Sequence, residues 1–331
     1  MGRVFPSLIG NNTMKEILAA DLARGKSAHA YILEGPRGSG KHTAASLICA
    51  SVLCENRHGK EADLPCGRCV SCRKVLGGIS VDVMTVSNED KATISVEAVR
   101  QIKQSLYVTP NDGDVKFYII ENAHRMTIQA QNALLLSLEE PPSYVMFILL
   151  CEDASLLLET IRSRAPVIRM EKFAPDFIES YLEKEYAPTS DREKIVRASH
   201  LAGGALGYAC ELYEHGEAEL KVYASAEELV KLLLSARKSD AAVAVPKIMP
   251  KDRKQSCEVL SLARIALRDI IADKKGGELL FYSSVDGTPD YAKKASARRV
   301  LDLIGLLTEA ENDISANVSQ NTVMTSLIMR S

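Results

Sequence analysis

Four cysteines fall at positions 54, 66, 69 and 72, the last three within Leu64-Pro65-Cys66-Gly67-Arg68-Cys69-Val70-Ser71-Cys72-Arg73. Thiols spaced C-x-x-C can converge on one tetrahedral ion, and Gly67 permits the tight turn between Cys66 and Cys69. Four thiolates leave no open coordination position, so the expected ion is a structural Zn²⁺ held by Cys54, Cys66, Cys69 and Cys72. A redox site would show a single C-x-x-C pair, and a disulfide framework suits an oxidising compartment. Cys49, Cys151, Cys210 and Cys257 stand apart in the sequence and read as small buried apolar residues.

A second constellation is Gly35-Pro36-Arg37-Gly38-Ser39-Gly40-Lys41-His42, which matches G-x-x-x-x-G-K-[ST] at every fixed position except the last. Gly35, Gly38 and Gly40 would let backbone N–H groups turn onto a phosphate at a helix N-terminus, and Lys41 would reach the terminal phosphates. Mg²⁺ chemistry needs a hydroxyl after the lysine, where His42 stands. Thr43 lies about 100° further round the helix and does not replace it directly. A matching departure follows the run that ends at Ile120: Glu121 can bind a cation or its water, but Asn122 occupies the place of a base. Losing a group that polarises the attacking water forfeits about 10² to 10⁴ in rate. Nucleotide binding, with ATP or ADP as the candidate ligands, survives these departures; efficient hydrolysis does not.

The elements that must position these residues are legible as alternating patterns. Apolar runs at 30–33, 81–86, 115–120 and 145–150, with a fifth candidate at 166–170, alternate with helical stretches at 41–53, 95–106 and 127–139. That alternation predicts a parallel sheet covered by helices, and the unbroken apolar run 145–150 suits a central strand buried on both faces. Pro141 and Pro142 stop the third helix. Beyond Lys172 the strand signal fades into helices at 176–185 and 191–201, broken by Gly203 and Gly204. From about 217 to the end, periodic Leu, Ile and Ala read as a helical bundle interrupted by a loop at 274–290. With 331 residues the chain predicts two or three domains. No apolar run approaches the roughly 18 residues that span a bilayer, and the N-terminus lacks the pattern of a secretory signal, so the expected location is the cytoplasm, with reduced cysteines. A net charge of -2 argues against a protein that wraps DNA unaided.

Several stretches together resemble the bacterial clamp-loader AAA+ family of DNA polymerase III. They are the segment from Ser27 through Lys41, the cysteine insert after the following helix, Gln131-Asn132-Ala133-Leu134-Leu135-Leu136-Ser137-Leu138-Glu139-Glu140-Pro141-Pro142, and Ile161-Arg162-Ser163-Arg164-Ala165. The last is similar to the family's Ser-Arg-Cys motif, with Ala165 in place of cysteine. The likeness is dense over 5–172, weaker to about 215, and little more than helicity thereafter.

It implies an α/β AAA+ P-loop domain over 1–172, a parallel five-stranded sheet with helices that carries the zinc insert at about 54–72. A small helical lid domain over 173–215 and an all-α collar domain over 216–331 would follow. Within the family the departures favour the delta-prime type, a stationary AAA+ partner, because Gly207 also stands where a motor's sensing arginine would fall. The resemblance implies that Arg164 enters a neighbouring subunit's ATP site in trans, as an arginine finger. It further implies a component of the polymerase holoenzyme without ATPase activity of its own. Its partners would be motor subunits of the gamma/tau type, a delta-type subunit, the sliding clamp and primer-template DNA within the complex, with no membrane. Two other readings stay open: an ATP-hydrolysing motor subunit, and a zinc-containing DNA-binding regulator with a vestigial phosphate loop.

Overall fold

Strands β1 (Ala30–Glu34), β2 (Val83–Val86), β3 (Lys116–Ile120), β4 (Val145–Cys151) and β5 (Val167–Arg169) form one sheet in the order β2-β3-β4-β1-β5, with every pairing parallel. These observations come from a computed structural model that describes residues 4–24, 28–57, 63–87, 93–188, 191–277, 279–282 and 287–331. Ser27, part of the cysteine insert at 58–62, and parts of the 274–290 loop lie outside the described residues. The chain divides into two units, Met1–Glu171 and Lys172–Ser331.

The central strands are apolar throughout because both faces of the sheet are covered. Alternate residues supply opposite layers, as the period of two requires. Tyr31, Leu33, Phe117, Ile119, Met146, Ile148 and Leu150 pack on one side against α1 (Asn12–Arg24) and α2 (Lys41–Val52). Their neighbours Ala30, Ile32, Tyr118, Ile120, Phe147 and Leu149 pack on the other side with apolar residues of the later helices. Three more helices belong to this unit before the last short one: α3 (Val70–Leu76), α4 (Val96–Ser105) and α5 (Ile128–Glu139).

Where the pattern misleads, the cause is local. The run 81–86 yields a strand only from Val83; the Asp82 before it is buried, and its carboxylate accepts backbone N–H groups from Asn111, Asp112 and Gly113 at 2.7, 2.8 and 3.0 Å. A buried carboxylate satisfied in this way anchors the loop ahead of β3, while the Asp82 backbone carbonyl accepts the Phe117 N–H at 2.7 Å. The stretch 154–161 is not one helical segment: a 3₁₀ turn at Ala154–Leu156 gives way at Leu157 to extended backbone, and α6 occupies Glu159–Arg162. Helices α1 and α3 have weak apolar periodicity and escape sequence reading.

The second unit is helical among its described residues. Helices α7 (Pro175–Glu185), α8 (Arg192–Leu201) and α9 (Leu206–His215) share one apolar cluster, which also takes in Leu220 of α10 (Glu217–Ser235). The remaining helices α11 (Lys238–Ile248), α12 (Arg253–Asp273), α13 (Asp290–Lys293), α14 (Ala297–Ser315) and α15 (Gln320–Arg330) build a larger cluster with α10. Asp269, fully buried on α12, accepts the backbone N–H groups of Leu280, Phe281 and Tyr282 at 2.8, 2.6 and 3.1 Å and so pins the loop after its helix. No helix among the described residues is long and apolar enough to cross a membrane.

Candidate nucleotide, metal and arginine sites

The glycine loop joins the C-terminal end of β1 to the N-terminus of α2. Gly40 caps that helix at φ 88°, a left-handed conformation that a side chain would strain. Gly35 is required for a different reason: a Cβ there would lie 2.6 Å from Ser39 Oγ and 2.9 Å from Met170 Cβ. The loop closes around Lys41, whose Nζ donates to the carbonyls of Gly35 and Pro36 at 2.6 and 2.7 Å. Burial lowers the pKa of Lys41 below the usual lysine value, and the Glu152 carboxylate opposes that shift.

The acidic turn after β3 comes to the same end of the sheet. His42 Nδ1 lies 3.2 Å from Glu121 Oε1, so the two positions that would serve Mg²⁺ in a hydrolysing enzyme contact each other. Thr43 is exposed and adds no hydroxyl to this contact. Asn122 adopts φ 50°, ψ 43°, and its carbonyl accepts Arg125 N–H at 2.7 Å as the chain turns into a short 3₁₀ segment. Next along, burial holds the His124 imidazole below the usual histidine pKa while Glu152 opposes it, and its Nδ1 accepts the Glu152 N–H at 3.3 Å. Sequence reading did not single out His124 or Glu152; neither stands at a fixed motif position.

The four cysteines of the insert assemble as their spacing requires. Their sulfur atoms all lie within 4.8 Å of one another, with Cys66 and Cys72 at 3.9 Å. Four sulfurs at about 2.3 Å from a tetrahedral zinc would stand about 3.8 Å apart, so the set fits such an ion. Cys54 follows α2, Cys69 is the N-cap of α3, and Cys72 lies in that helix's first turn. Backbone N–H groups of Cys69 and Cys72 point at the sulfurs of Cys66 and Cys69, each at 3.4 Å. Burial works to raise the Cys66 thiol, but the Asn56 amide and the N–H groups of Arg68 and Cys69 outweigh it and bring it down to about 6. Burial raises Cys54 and Cys72, a cost that a bound dication would offset by favouring their thiolates.

Arg164 is held by contacts to α6 and to the end of α5. Its Nη1 donates to the Thr160 carbonyl at 2.9 Å and its Nη2 lies 2.6 Å from Glu139 Oε1. Ser163 is the C-cap of α6, with its hydroxyl on the Thr160 carbonyl at 3.0 Å. Arg169, a neighbouring cation, pairs instead with Glu34 at 2.8 Å. The third expected departure, Gly207, is exposed in the first turn of α9, in the second unit.

The family model described as "DNA polymerase III, delta subunit" matches residues 10–174. Among curated relatives, the DNA polymerase III subunit gamma of Buchnera aphidicola subsp. Schizaphis graminum is 29% identical over 267 residues, covering 80% of this chain and 72% of that protein. The gamma subunit from the Acyrthosiphon pisum strain is 32% identical over 215 residues, covering 64% of this chain and 58% of that protein. The DNA polymerase III subunit delta' of Bacillus subtilis is 28% identical over 323 residues, 95% of this chain and 94% of that protein.

Proposed function

We propose that this chain is a delta-prime-like subunit of the clamp-loader AAA+ family, a non-hydrolysing partner that supplies Arg164 to a neighbouring ATPase. The observation that carries the reading is the 3.2 Å contact between His42 and Glu121. An imidazole and a carboxylate that engage each other leave neither the hydroxyl nor the free acidic pair that would hold Mg²⁺ between β- and γ-phosphates. Asn122 in the turn and Gly207 on α9 remove further parts of a hydrolytic site. Near-complete mutual coverage with the delta' relative supports the same assignment.

In this reading the glycine loop and Lys41 retain the capacity to hold a nucleotide as a structural ligand. Cys54, Cys66, Cys69 and Cys72 hold one Zn²⁺, which stabilises an insert too short to build its own core and takes no part in chemistry. Residues 173–215 act as the lid, and 216–331 as the collar that joins motor and delta-type subunits. The assembled complex acts in the cytoplasm on the sliding clamp and primer-template DNA. A hydrolysing motor is the second reading, favoured by the 29% identity to a gamma subunit across 80% of the chain.

The trans role of Arg164 is tested by reconstituting the loader with Arg164→Ala. A guanidinium supplied across an interface stabilises charge on the transferring phosphoryl group and is worth about 10³ to 10⁵ in rate in related systems. Clamp- and DNA-stimulated ATP hydrolysis should fall by at least about tenfold while the complex stays assembled. Wild-type rates of hydrolysis and clamp loading would make Arg164 a surface cation only. Arg162, exposed at the end of α6 two residues before Arg164, is the control; Arg169 is less suitable because it is tied to Glu34.

A further inference from the structure

A finger that works by position needs something to hold it, and α6 alone is a poor support. The helix has four residues and ends before Arg164, and an arginine side chain just beyond so short an element has many rotamers to lose. The surrounding contacts remove that freedom. Gln131, buried on α5, donates from Nε2 to the Met126 and Leu156 carbonyls at 3.2 and 3.3 Å, and its Oε1 accepts the Leu158 N–H at 2.8 Å. That side chain fixes the segment leading into α6 against α5. Ile161 and Ala165, both buried, anchor the two sides of the arginine in the apolar layer beneath.

With the two helices thus fixed, Glu139 at the last position of α5 receives Arg164 Nη2 at 2.6 Å, while Thr160 receives Nη1. A cation also suits the C-terminal end of α5, where carbonyl groups lack helical partners. We propose that Glu139 is the positioning residue for Arg164, orienting its guanidinium toward a phosphoryl group of a neighbouring subunit's nucleotide. The proposal rests on the trans-arginine reading and adds the residue that aims the group.

The chemistry favours aiming over sequestration. A guanidinium carries five N–H donors, and the contacts to Thr160 and Glu139 engage one on each terminal nitrogen. A longer contact from Nη1 to Ser163 Oγ at 3.5 Å engages a third, and two donors remain for a phosphoryl oxygen, so Glu139 need not release the arginine for it to act. About a third of the Arg164 side chain is solvent-exposed, which leaves the group accessible to a second chain. A half-exposed ion pair adds little to folding stability, so its loss should be read in rate instead of in folding. Glu140, the next residue, is exposed and carries the same charge, which makes it the matched control.

The test is a double-mutant cycle in the full loader assembled with its native partner subunits, carrying Glu139→Ala, Glu139→Gln, Glu140→Ala, Arg164→Ala or Glu139→Ala with Arg164→Ala. Thermal unfolding and complex mass are measured first, then kcat and KM for ATP with clamp and primed DNA. Glu139→Ala should lower kcat about tenfold with KM changed less than about twofold, the pattern of an interaction made in the transition state. Glu139→Gln, whose amide oxygen still accepts the hydrogen bond, should retain most of the rate, and Glu140→Ala should be silent. On the Arg164→Ala background, Glu139→Ala should cause no further loss, because both act through one group.

Several results would overturn the proposal. Independent multiplicative losses, or wild-type kcat in Glu139→Ala beside a slow Arg164→Ala, would separate Glu139 from the arginine while leaving the trans reading intact. A rate above wild type would mean that Glu139 restrains the finger. A folding or assembly defect in Glu139→Ala, absent from Glu140→Ala, would assign the residue to structure. If Arg164→Ala alone leaves the rate unchanged, the trans reading fails first and the proposal falls with it.

Discussion

Asn122 sits at φ 50°, where asparagine is tolerated and a longer acidic side chain is strained. In the sequence it read only as a missing base; its backbone adds that the turn after β3 is built for a residue that accepts this conformation. Asn122→Glu should therefore destabilise the protein by about 1 kcal/mol in chemical denaturation. A glutamate variant as stable as wild type would show that the turn relaxes at no cost. Individual chemical identities were legible at this scale: the loop lysine, the histidine after it and the four thiols could all be named from spacing. Their contacts were not. That His42 meets Glu121, and that Arg164 is held by Glu139, depends on how separate elements pack, and an ion pair between elements has no sequence period to reveal it.

Among the elements, the central strands were the easiest to read because burial on both faces leaves no polar alternation in β3 and β4. Strand β2 lies at the sheet edge and starts only after the buried Asp82, whose carboxylate binds the loop ahead of β3, a role that hydropathy could not anticipate. The clustering of the four cysteines was legible through their spacing, while helix α3 was not, since seven residues capped by Cys69 give little apolar pattern. If the module is held by zinc, the purified protein should contain one Zn²⁺ per chain by elemental analysis. Cys69→Ser should then lose most of it and lower the unfolding temperature, since metal binding is part of the folding free energy. Stoichiometric zinc retained in that variant, or a folded wild-type chain free of zinc, would count against the assignment.

At the scale of the whole molecule, the chain carries the sheet, the glycine loop, the cysteine module and Arg164 in one unit, and the Gly207 position in the other. The alternation of strand and helix made the first unit readable as α/β. The second gave only helical periodicity, which does not distinguish a private core from an assembly surface. The central proposal is that this chain takes part in a motor without being one, and steady-state ATP hydrolysis by the purified chain tests it most directly. The chain should be assayed with saturating Mg²⁺ beside a Lys41→Ala variant prepared identically, so that a contaminating ATPase contributes equally to both. The account predicts equal rates, no higher than the background of the preparation. Mg²⁺-dependent turnover in the wild-type chain that Lys41→Ala abolishes would contradict it and make this subunit a motor.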